Sequence, residues 1–340
     1  METNNKEKKK RIIFSHESDI DGLGNIVLAK IAFGEMEYEL FPDPHNLTIK
    51  FQKYIEEGRL HQYDQIYITD LSLYPPVIQM VNEDATLREK IQIFDHHKGA
   101  VDAGCNDFEF SHVVIKDEAG KKKCGTELFY EYLCNHSMIK KTPLLDTFVE
   151  LTRLEDTWEW TKEGDIGIMA HDLAVLFNSI GKEEYVSRLI TKLSHSSEGL
   201  FQYDEEEKQL IANKKEECSN AISTALNEIE YMVDEFGNKF GIVFTSYEFR
   251  NEIPEFIRNS GNPEKIKYMI IAAMDKGENG QKSYRLIEDG FDVNEVAKFH
   301  GGGGPTSAAA VPITKEQKEK ALSLSKKEGL AYLAYCKYSN

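Results

Sequence analysis

The sequence predicts a two-domain α/β protein, in which a parallel-sheet domain precedes a smaller α/β domain. In the first hundred residues, three apolar runs of strand length alternate with segments of helical pattern, which is typical of a parallel sheet. Further strand-like runs follow a long charged segment near the middle of the chain, and 340 residues accommodate about two domains. We expect an N-terminal domain over 1–197, a helical linker over 198–234 and a C-terminal domain over 235–340.

Hydrophobic pattern and chain punctuation predict the elements of the N-terminal domain. The runs RIIF, QIYI and IQIF are short, continuous and rich in isoleucine, which favours buried strands. The apolar run GNIVLAKIAFG ends in glycine, and PPVIQMVNE begins with prolines, so both are predicted helices. The expected strands cover 11–14, 65–68 and 91–94, and the expected helices cover 24–34, 75–83, 125–136 and 143–158.

The second half of the chain begins with a predicted connecting helix. Helix formers and charges of both signs fill the stretch from about 200 to 230. Three strand-like runs follow, and the segment HGGGGPTSAAA closes the predicted domain over 300–310. The three expected strands cover 239–246, 267–275 and 282–289.

Bulk composition limits the classes of function. The formal net charge of −17 argues against a protein that grips long nucleic acid, because such proteins usually have a basic surface. No apolar run is long enough to span a membrane and no secretory signal is evident, so we expect a cytoplasmic protein. The five cysteines are widely spaced without a C-x-x-C motif, which predicts free thiols.

Acidic residues and histidines follow each of the three predicted N-terminal strands. SHESDID follows the first strand, TDLS the second and DHH the third. Since ligands of open α/β sheets bind beyond the carboxyl ends of the strands, we expect these side chains to share one site. Carboxylate and imidazole ligands suit Mn²⁺, Mg²⁺ or Fe²⁺. Each motif alone also fits a helix cap or a solvated turn, with Ser72 capping a helix, so the metal interpretation depends on their combination.

With these motifs the chain resembles the DHH phosphoesterase superfamily, and above all its short-RNA-degrading oligoribonucleases (nanoRNases). RecJ exonucleases and cyclic-dinucleotide phosphodiesterases belong to the same superfamily. The resemblance covers most of the chain and implies a Rossmann-like N-terminal domain with a DHH-associated C-terminal domain. The residues that carry the four motifs are His16, Asp19, Asp21, Gly22, Asp70, Asp95, His96, His97 and Asp156.

The resemblance implies a site for two divalent cations, with Mn²⁺ expected and Mg²⁺ or Co²⁺ as alternatives. Asp70 would bridge the two cations, His97 would contact the scissile phosphate or leaving oxygen, and Asp95 would orient the histidines. Glu155 is the alternative to Asp156 as a ligand, and a helix-ending role for Asp156 is the structural interpretation. The implied ligands are His16, Asp19 and Asp70 for one cation, and Asp21, Asp70, His96 and Asp156 for the other.

The C-terminal domain matches the family's substrate-binding module with one departure. Its glycine run would let the backbone present N–H groups to a phosphate, and a flexible hinge is the alternative interpretation. Pro305 stands where the family has a histidine, so the contact with substrate must differ at this point. Arg285 matches a phosphate-binding arginine of the family, with an exposed strand arginine as the alternative. The predicted substrate-binding residues are Arg285, His300, Gly301, Gly302, Gly303, Gly304 and Thr306.

These features predict a manganese-dependent phosphodiesterase that hydrolyses short oligonucleotides, as a nanoRNA-type exoribonuclease, in a cleft between the two domains. A cyclic-dinucleotide or 3′,5′-bisphosphate nucleotide phosphohydrolase is the alternative, and a catalytically decayed nucleotide-binding sensor is the alternative of another class. The expected partner is a short oligonucleotide or small nucleotide, with no long nucleic acid and no membrane, and homodimer formation is left open. The pair His171 and Asp172 suggests a different metallohydrolase, but we interpret it as structural, and we expect Trp158 and Trp160 in the core.

Overall fold

The computed structural model describes residues 9–195 and 199–338. The chain divides into two compact units, Met1–Lys214 and Lys215–Asn340, within the predicted connecting helix. The first unit contains a parallel sheet and the second a mixed sheet, so the predicted α/β class is confirmed. The predicted boundary between residues 197 and 198 lies outside the described residues, and the domain limits stay a prediction.

A five-stranded parallel sheet forms the centre of the described N-terminal unit, in the order β2-β1-β3-β4-β5. The three predicted strands are confirmed as β1, β3 and β4, and the two strands that the sequence did not predict, β2 and β5, lie at the edges of the sheet. The strands are β1 (Arg11–His16), β2 (Glu37–Phe41), β3 (Gln65–Thr69), β4 (Ile91–Asp95) and β5 (Ser111–Val113).

Helices cover both faces of this sheet. Ile12 and Phe14 point into one hydrophobic core and Ile13 points into the other, as expected for a strand that is buried on both sides. The helices of this part of the chain are α1 (Ile20–Phe33), α2 (Pro44–Glu56), α3 (Pro75–Glu83), α4 (Ala85–Arg88), α5 (Lys98–Asp102), α6 (Gly125–Asn135), α7 (Pro143–Asp156), α8 (Gly164–Ile180) and α9 (Lys182–His195).

The strand order brings the motif-bearing strand ends together. β1 pairs with β2 on one side and with β3 on the other. The connections that leave β1 and β2 therefore run to opposite sides of β1, which makes this position the topological switch point of the sheet. Such switch points open a crevice beyond the carboxyl ends of the strands. The helix after β1 begins at Ile20, earlier than the predicted residue 24, because Asp19 caps it by accepting a hydrogen bond from the Gly22 N–H.

The C-terminal unit contains a second sheet, in the order β10-β9-β8-β7-β6, in which β7 and β8 are parallel and the other neighbours antiparallel. The predicted connecting helix is confirmed as α10, and the predicted strands as β7, β8 and β9. The elements are α10 (Glu205–Asn227), β6 (Glu230–Val233), β7 (Lys239–Phe244), α11 (Glu252–Asn259), β8 (Tyr268–Ala273), β9 (Gln281–Leu286), α12 (Val293–Phe299), β10 (Ala308–Pro312), α13 (Lys315–Ser323) and α14 (Lys326–Tyr335).

The structure also describes the cysteines and the apolar character of the helices. Among the described residues no disulfide links any of the five cysteines, and Cys105 and Cys124 are buried in the N-terminal unit. Among the described helices, none combines the length and apolar character that a membrane crossing requires.

Candidate metal centre

The carboxyl ends of β1, β3 and β4 carry a cluster of histidines and aspartates. His16 is the last residue of β1, Asp70 follows β3, and Asp95 ends β4. Asp156 comes from the last turn of α7, more than fifty residues further along the chain. Ligand atoms within each of three groups lie within 4.8 Å of one another, and the groups are His16, Asp19 and Asp70, then Asp21, His96 and Asp156, then Asp70, His96 and His97.

The first group surrounds Nδ1 of His16. This nitrogen lies 2.7 Å from Oδ2 of Asp19 and 3.5 Å from Oδ2 of Asp70. The other ring nitrogen, Nε2, lies 3.2 Å from the carbonyl oxygen of Pro42 and can donate to it. In the neutral imidazole this hydrogen bond leaves a lone pair on Nδ1, facing two carboxylates. Three acceptors then converge, and only a proton or a cation among them removes the repulsion.

The second group surrounds Nε2 of His96. This nitrogen lies 3.2 Å from Oδ1 of Asp70, 3.4 Å from Oδ2 of Asp156 and 3.6 Å from Oδ2 of Asp21. Asp70 therefore turns one carboxylate oxygen toward each group. A carboxylate in this position has the arrangement that a bridge between two cations requires.

Several of these atoms lack the partner that burial normally demands. Nδ1 of His16, Oδ2 of Asp70 and Oδ2 of Asp156 are buried and make no well-directed hydrogen bond. Buried polar atoms without a partner are uncommon in native proteins and often mark the position of a bound ion. The donor set of imidazole nitrogens and carboxylate oxygens fits Mn²⁺, Mg²⁺ or a similar divalent cation.

The pKa shifts within the cluster also indicate that its carboxylates require a neighbouring positive charge. Burial and the Asp21 carboxylate raise the pKa of Asp70 well above its usual value, and the same two causes raise the pKa of Asp156. Burial alone would lower the pKa of His16, but the neighbouring carboxylates of Asp19 and Asp70 raise it to about 11. Without a metal the cluster therefore retains protons at neutral pH. Divalent cations would compete with those protons for the same atoms.

The backbone of Asp70 is held in an uncommon conformation. Its φ of 57° lies in the left-handed region, which aspartate adopts more readily than most residues but still uncommonly. The Asp70 N–H donates to the carbonyl oxygen of Phe94 at 2.8 Å, which ties the residue to β4. Gly125 packs against its other side, where an added Cβ would lie 2.9 Å from the Asp70 Cα. Strained residues of this kind concentrate at functional sites.

Asp21 is positioned by the start of α6, a contact that the sequence analysis missed. Its two carboxylate oxygens accept hydrogen bonds from the N–H groups of Gly125 and Thr126, each at 2.7 Å. The Thr126 hydroxyl also donates to the Asp21 carbonyl oxygen at 2.6 Å. The start of a helix favours negative charge, so α6 stabilises the Asp21 carboxylate and fixes its direction. The separation of 104 residues left no local signal for this contact.

Asp95 is surrounded by donors. Its Oδ1 accepts hydrogen bonds from the N–H groups of His96 and His97 and lies 2.8 Å from Nδ1 of His97. Its Oδ2 accepts a hydrogen bond from Ser72 at 2.6 Å, so the alternative in which Ser72 caps a helix is wrong. Burial alone would lower the pKa of His97, but Asp95 raises it. Asp95 thus orients the imidazole of His97 and favours its charged form, while 54% of the His97 side chain stays exposed.

The structure separates Asp156 from its neighbour Glu155. Asp156 faces His96, whereas Oε2 of Glu155 lies 3.5 Å from Nδ1 of His171 outside the cluster. His171 stacks on Trp160 with ring centroids 4.2 Å apart, and no metal-ligand group among the described residues includes it. The prediction of a core position is wrong for Trp158, whose exposure is 50%.

The glycine segment of the C-terminal unit does not present free N–H groups. The N–H groups of Gly301 and Gly302 donate to carbonyl oxygens of α12, that of Gly303 to Ala310, and that of Gly304 to the Asn294 side chain at 3.0 Å. In this conformation the N–H groups of the glycines have partners within the protein, and phosphate binding by this segment stays a prediction.

The remaining C-terminal candidates differ in their exposure. His300 is buried with 1% exposure, and its Nε2 lies 3.6 Å from a carboxylate oxygen of Glu235, so the structure does not favour direct contact with substrate. Thr306 is exposed. Arg285 donates to Asn251 at 2.9 Å, and within the described residues no carboxylate forms an ion pair with it. Burial and the nearby Arg250 lower the pKa of Arg285 to about 10, which is the environment of a guanidinium that lacks an anion.

Solved structures of DHH-domain proteins share this fold. A DHH domain from a protein described as a member of a ribosomal protein family matches with a TM-score of 0.58 and 13% identity, over 98% of this chain and 88% of that chain. RecJ exonuclease bound to manganese matches with a TM-score of 0.53 and 13% identity, over 96% and 91%. The pGpG-specific phosphodiesterase PggH of Vibrio cholerae matches with a TM-score of 0.52 and 14% identity, over 96% and 99%.

A curated relative defines the family more narrowly. Oligoribonuclease NrnB of Bacillus subtilis (strain 168) is 30% identical over 309 residues, which are 89% of this chain and 73% of that protein. The chain therefore belongs to the oligoribonuclease NrnB family of the DHH superfamily and is a phosphoester hydrolase. No family model matches the chain.

Proposed function

We propose that the protein is a manganese-dependent phosphodiesterase that releases nucleotides from short oligonucleotides, with RNA as the substrate. The observation that carries the proposal is the pair of ligand groups that meet at Asp70 in a relative of an oligoribonuclease. In this proposal one cation is held by His16, Asp19 and Asp70, and the other by Asp21, Asp70, His96 and Asp156. When bound, such a pair lowers the pKa of a water and neutralises charge on the phosphoryl group.

The chain's own residues orient the substrate and hold protons. In this proposal Asp95 accepts the Nδ1–H of His97 and favours the charged imidazole by raising its pKa, which leaves the Nε2–H for a phosphate or leaving oxygen. Asp70 is buried and Asp156 is half-buried, so the charge of each carboxylate interacts strongly with a cation that neutralises it. The exposed side of His97 supports access of substrate to the cluster.

Charge supports a short substrate. With 58 acidic and 41 basic side chains, the surface as a whole repels a long polyanion. A short oligonucleotide carries few phosphates, and local cations or a half-buried arginine are sufficient to hold them. Arg285 is such an arginine, since it is half-buried and forms no ion pair with a carboxylate among the described residues. We propose it as a phosphate ligand within the C-terminal unit.

The test is the release of mononucleotides from labelled RNA of about two to five nucleotides in the presence of Mn²⁺. Asp70→Asn is the informative variant, because asparagine tolerates the left-handed backbone of Asp70 while its neutral amide is a poorer bridging ligand. Asp102→Asn makes the same chemical change at an exposed position and is the matched control. We expect release by the wild type and by Asp102→Asn, and a loss of at least about 100-fold in Asp70→Asn.

Other outcomes select the alternatives. Hydrolysis of cyclic dinucleotides or 3′,5′-bisphosphate nucleotides without RNA cleavage would assign the same centre to a different phosphoester. Tight nucleotide binding without turnover, in Mn²⁺ and in Mg²⁺, would favour the decayed sensor. Equal Mn²⁺-dependent activity in Asp70→Asn and the wild type would contradict the proposed metal centre.

A further inference from the structure

A cavity of about 390 Å³ opens beside the metal centre within the N-terminal unit. Three of its wall residues, His16, Asp95 and His97, belong to the cluster described above. The other walls come from the segment between β2 and α2, the segment between β3 and α3, and helix α5. A group bound in this cavity would therefore lie directly beside the atoms that we assign to phosphate chemistry.

Away from the cluster, the chemistry of the walls favours an uncharged ring system over a phosphate. Leu71, Leu73, Ala100 and Cys105 supply buried apolar surface, and the Tyr74 side chain, which is 44% exposed, supplies an aromatic ring. Among the described residues that line the cavity, none is a lysine or arginine. Apolar walls with an aromatic side chain suit a nucleobase, because every base has a face that can stack or pack on them.

Three polar side chains of the walls already have hydrogen-bond partners in the protein. Ser72 donates to Asp95, and both carboxylate oxygens of Asp43 accept hydrogen bonds from Asn46. The Cys105 thiol faces the carbonyl oxygen of Leu73 at 3.6 Å. A site that distinguishes bases needs unpaired donors and acceptors aimed at the base edge. The described residues of the walls include no asparagine, glutamine, lysine or arginine, so apolar contact and stacking dominate and any of the four bases is accepted.

Size limits the occupant to one nucleoside. Sites for small molecules span about 300–1,000 Å³, and a cavity of about 390 Å³ lies near the lower limit. A single nucleoside fits that volume better than two stacked nucleotides do.

We propose that this cavity binds the nucleoside next to the scissile phosphate, without selecting its base. The inference rests on the proposed phosphodiesterase function, to which it adds a subsite on the N-terminal unit. The phosphate of that nucleotide lies against His97, and its base packs between Tyr74 and the apolar walls. The enzyme then degrades short oligonucleotides of mixed sequence.

Gly99→Phe tests the cavity without removing any side chain. Gly99 lines the cavity, and a Cβ added to it would meet no atom within 4 Å, so a phenylalanine enters open space. Asp102→Phe places the same ring on an exposed position of the same helix, outside the cavity, and is the matched control. Tyr74→Ala removes the aromatic wall instead of filling the space.

The first readout is the binding of adenosine, guanosine, cytidine and uridine to the Mn²⁺-loaded protein by calorimetry or ligand-observed NMR. We expect the four dissociation constants of the wild type to agree within about tenfold, and Gly99→Phe and Tyr74→Ala each to weaken adenosine binding by about tenfold or more. Asp102→Phe binds as the wild type does. In the second readout, Gly99→Phe raises KM for a dinucleotide by a similar factor while its manganese content stays that of the wild type.

The outcomes separate this inference from the proposed function. If Gly99→Phe and Tyr74→Ala bind adenosine as the wild type does, or if the wild type binds no nucleoside, the cavity assignment is overturned even where RNA is cleaved. If nucleoside binding depends on Gly99 and Tyr74 but no phosphodiester is hydrolysed, the nucleoside site stands and the proposed function fails.

Discussion

Gly125→Ala perturbs the metal centre without changing any proposed ligand. The added Cβ would lie 2.9 Å from both Cα and Cβ of Asp70 and 3.0 Å from its backbone nitrogen. Ordinary van der Waals contact begins near 3.4 Å, so Asp70 must retreat by about 0.5 Å along a backbone that is already strained. Helix propensity alone would make this substitution stabilising by about 0.5–1 kcal/mol. Overpacking of this kind costs about 1–3 kcal/mol and therefore outweighs that gain.

The displacement is large enough to disturb catalysis. Misplacement of a reacting group by about 1 Å can cost about 100-fold in rate, and productive sites tolerate about 0.5 Å. We therefore expect a fall of about 10- to 100-fold in kcat on short RNA and a weaker affinity for Mn²⁺ in Gly125→Ala. Mn²⁺ titration and steady-state kinetics, together with circular dichroism to verify folding, provide the assay.

Gly199→Ala is the matched control for this substitution. Gly199 is exposed, and its added Cβ would meet no atom within 4 Å. This variant should keep the activity and Mn²⁺ affinity of the wild type. A folded Gly125→Ala protein with both parameters unchanged would refute the argument that close packing of α6 against Asp70 sets the geometry of the centre.

Three further predictions concern the ligands and their protons. Asp156→Asn should lower both the Mn²⁺ affinity and kcat by about 10- to 100-fold. Glu155→Gln, outside the cluster, should change neither quantity by more than about threefold. Equal losses in the two variants would contradict the assignment of Asp156 as a metal ligand. Asp95→Asn should lower kcat by about 10- to 100-fold and leave the manganese content unchanged, because His97 loses the carboxylate that orients it and raises its pKa. Loss of bound manganese in this variant would instead indicate that Asp95 is a metal ligand. The pKa of His16 is raised from 6.5 to about 11, so its proton stabilises the metal-free fold fully below pH 6.5, and this stabilisation is lost as the pH rises toward 11. Between pH 6.5 and about 9, the Tm of chelator-treated protein should therefore fall, and the increase in Tm that Mn²⁺ causes should grow. An increase in Tm that is independent of pH would contradict competition between Mn²⁺ and the proton.

The strands that sequence analysis predicted are those with the strongest hydrophobic signal. The three predicted N-terminal strands lie at interior positions of the sheet, buried on both faces, so their sequences are continuous apolar runs. β2 was missed because its first two residues, Glu37 and Tyr38, are exposed at a sheet edge, and β5 has only three residues. β10 contains the alanine run 308–310, and alanine has a low preference for strands, so pairing with β9 decides its conformation.

The meeting of His16, Asp70 and Asp95 could be predicted because strand ends meet at one edge of a parallel sheet, whereas Asp156, at the end of α7, was expected only from the family resemblance. The contacts that orient these side chains could not be predicted, because they are made by backbone groups or by residues remote in sequence. Pro42 reaches His16 through a carbonyl oxygen, and Gly125 reaches Asp21 through an N–H. Any residue type except proline supplies an N–H, so no residue pattern marks such a contact.

The glycine segment shows that the partners of its N–H groups depend on the surrounding fold. Gly301 to Gly304 were expected to offer N–H groups to a phosphate, but hydrogen bonds within the C-terminal unit already use them. Whether these N–H groups have partners depends on how α12 and β10 fold around the segment. The sequence of the segment alone does not show this. Arg285 is the predicted residue in this unit whose environment still favours an anion.

We propose that Asp70 bridges two divalent cations. Diffraction from crystals grown with Mn²⁺, recorded at the manganese absorption edge, tests this role because anomalous scattering locates manganese without reference to activity. We expect two anomalous peaks about 3.5–4 Å apart on either side of the Asp70 carboxylate, one near His16 and the other near His96. A single peak away from Asp70, or no peak at saturating Mn²⁺, would contradict it.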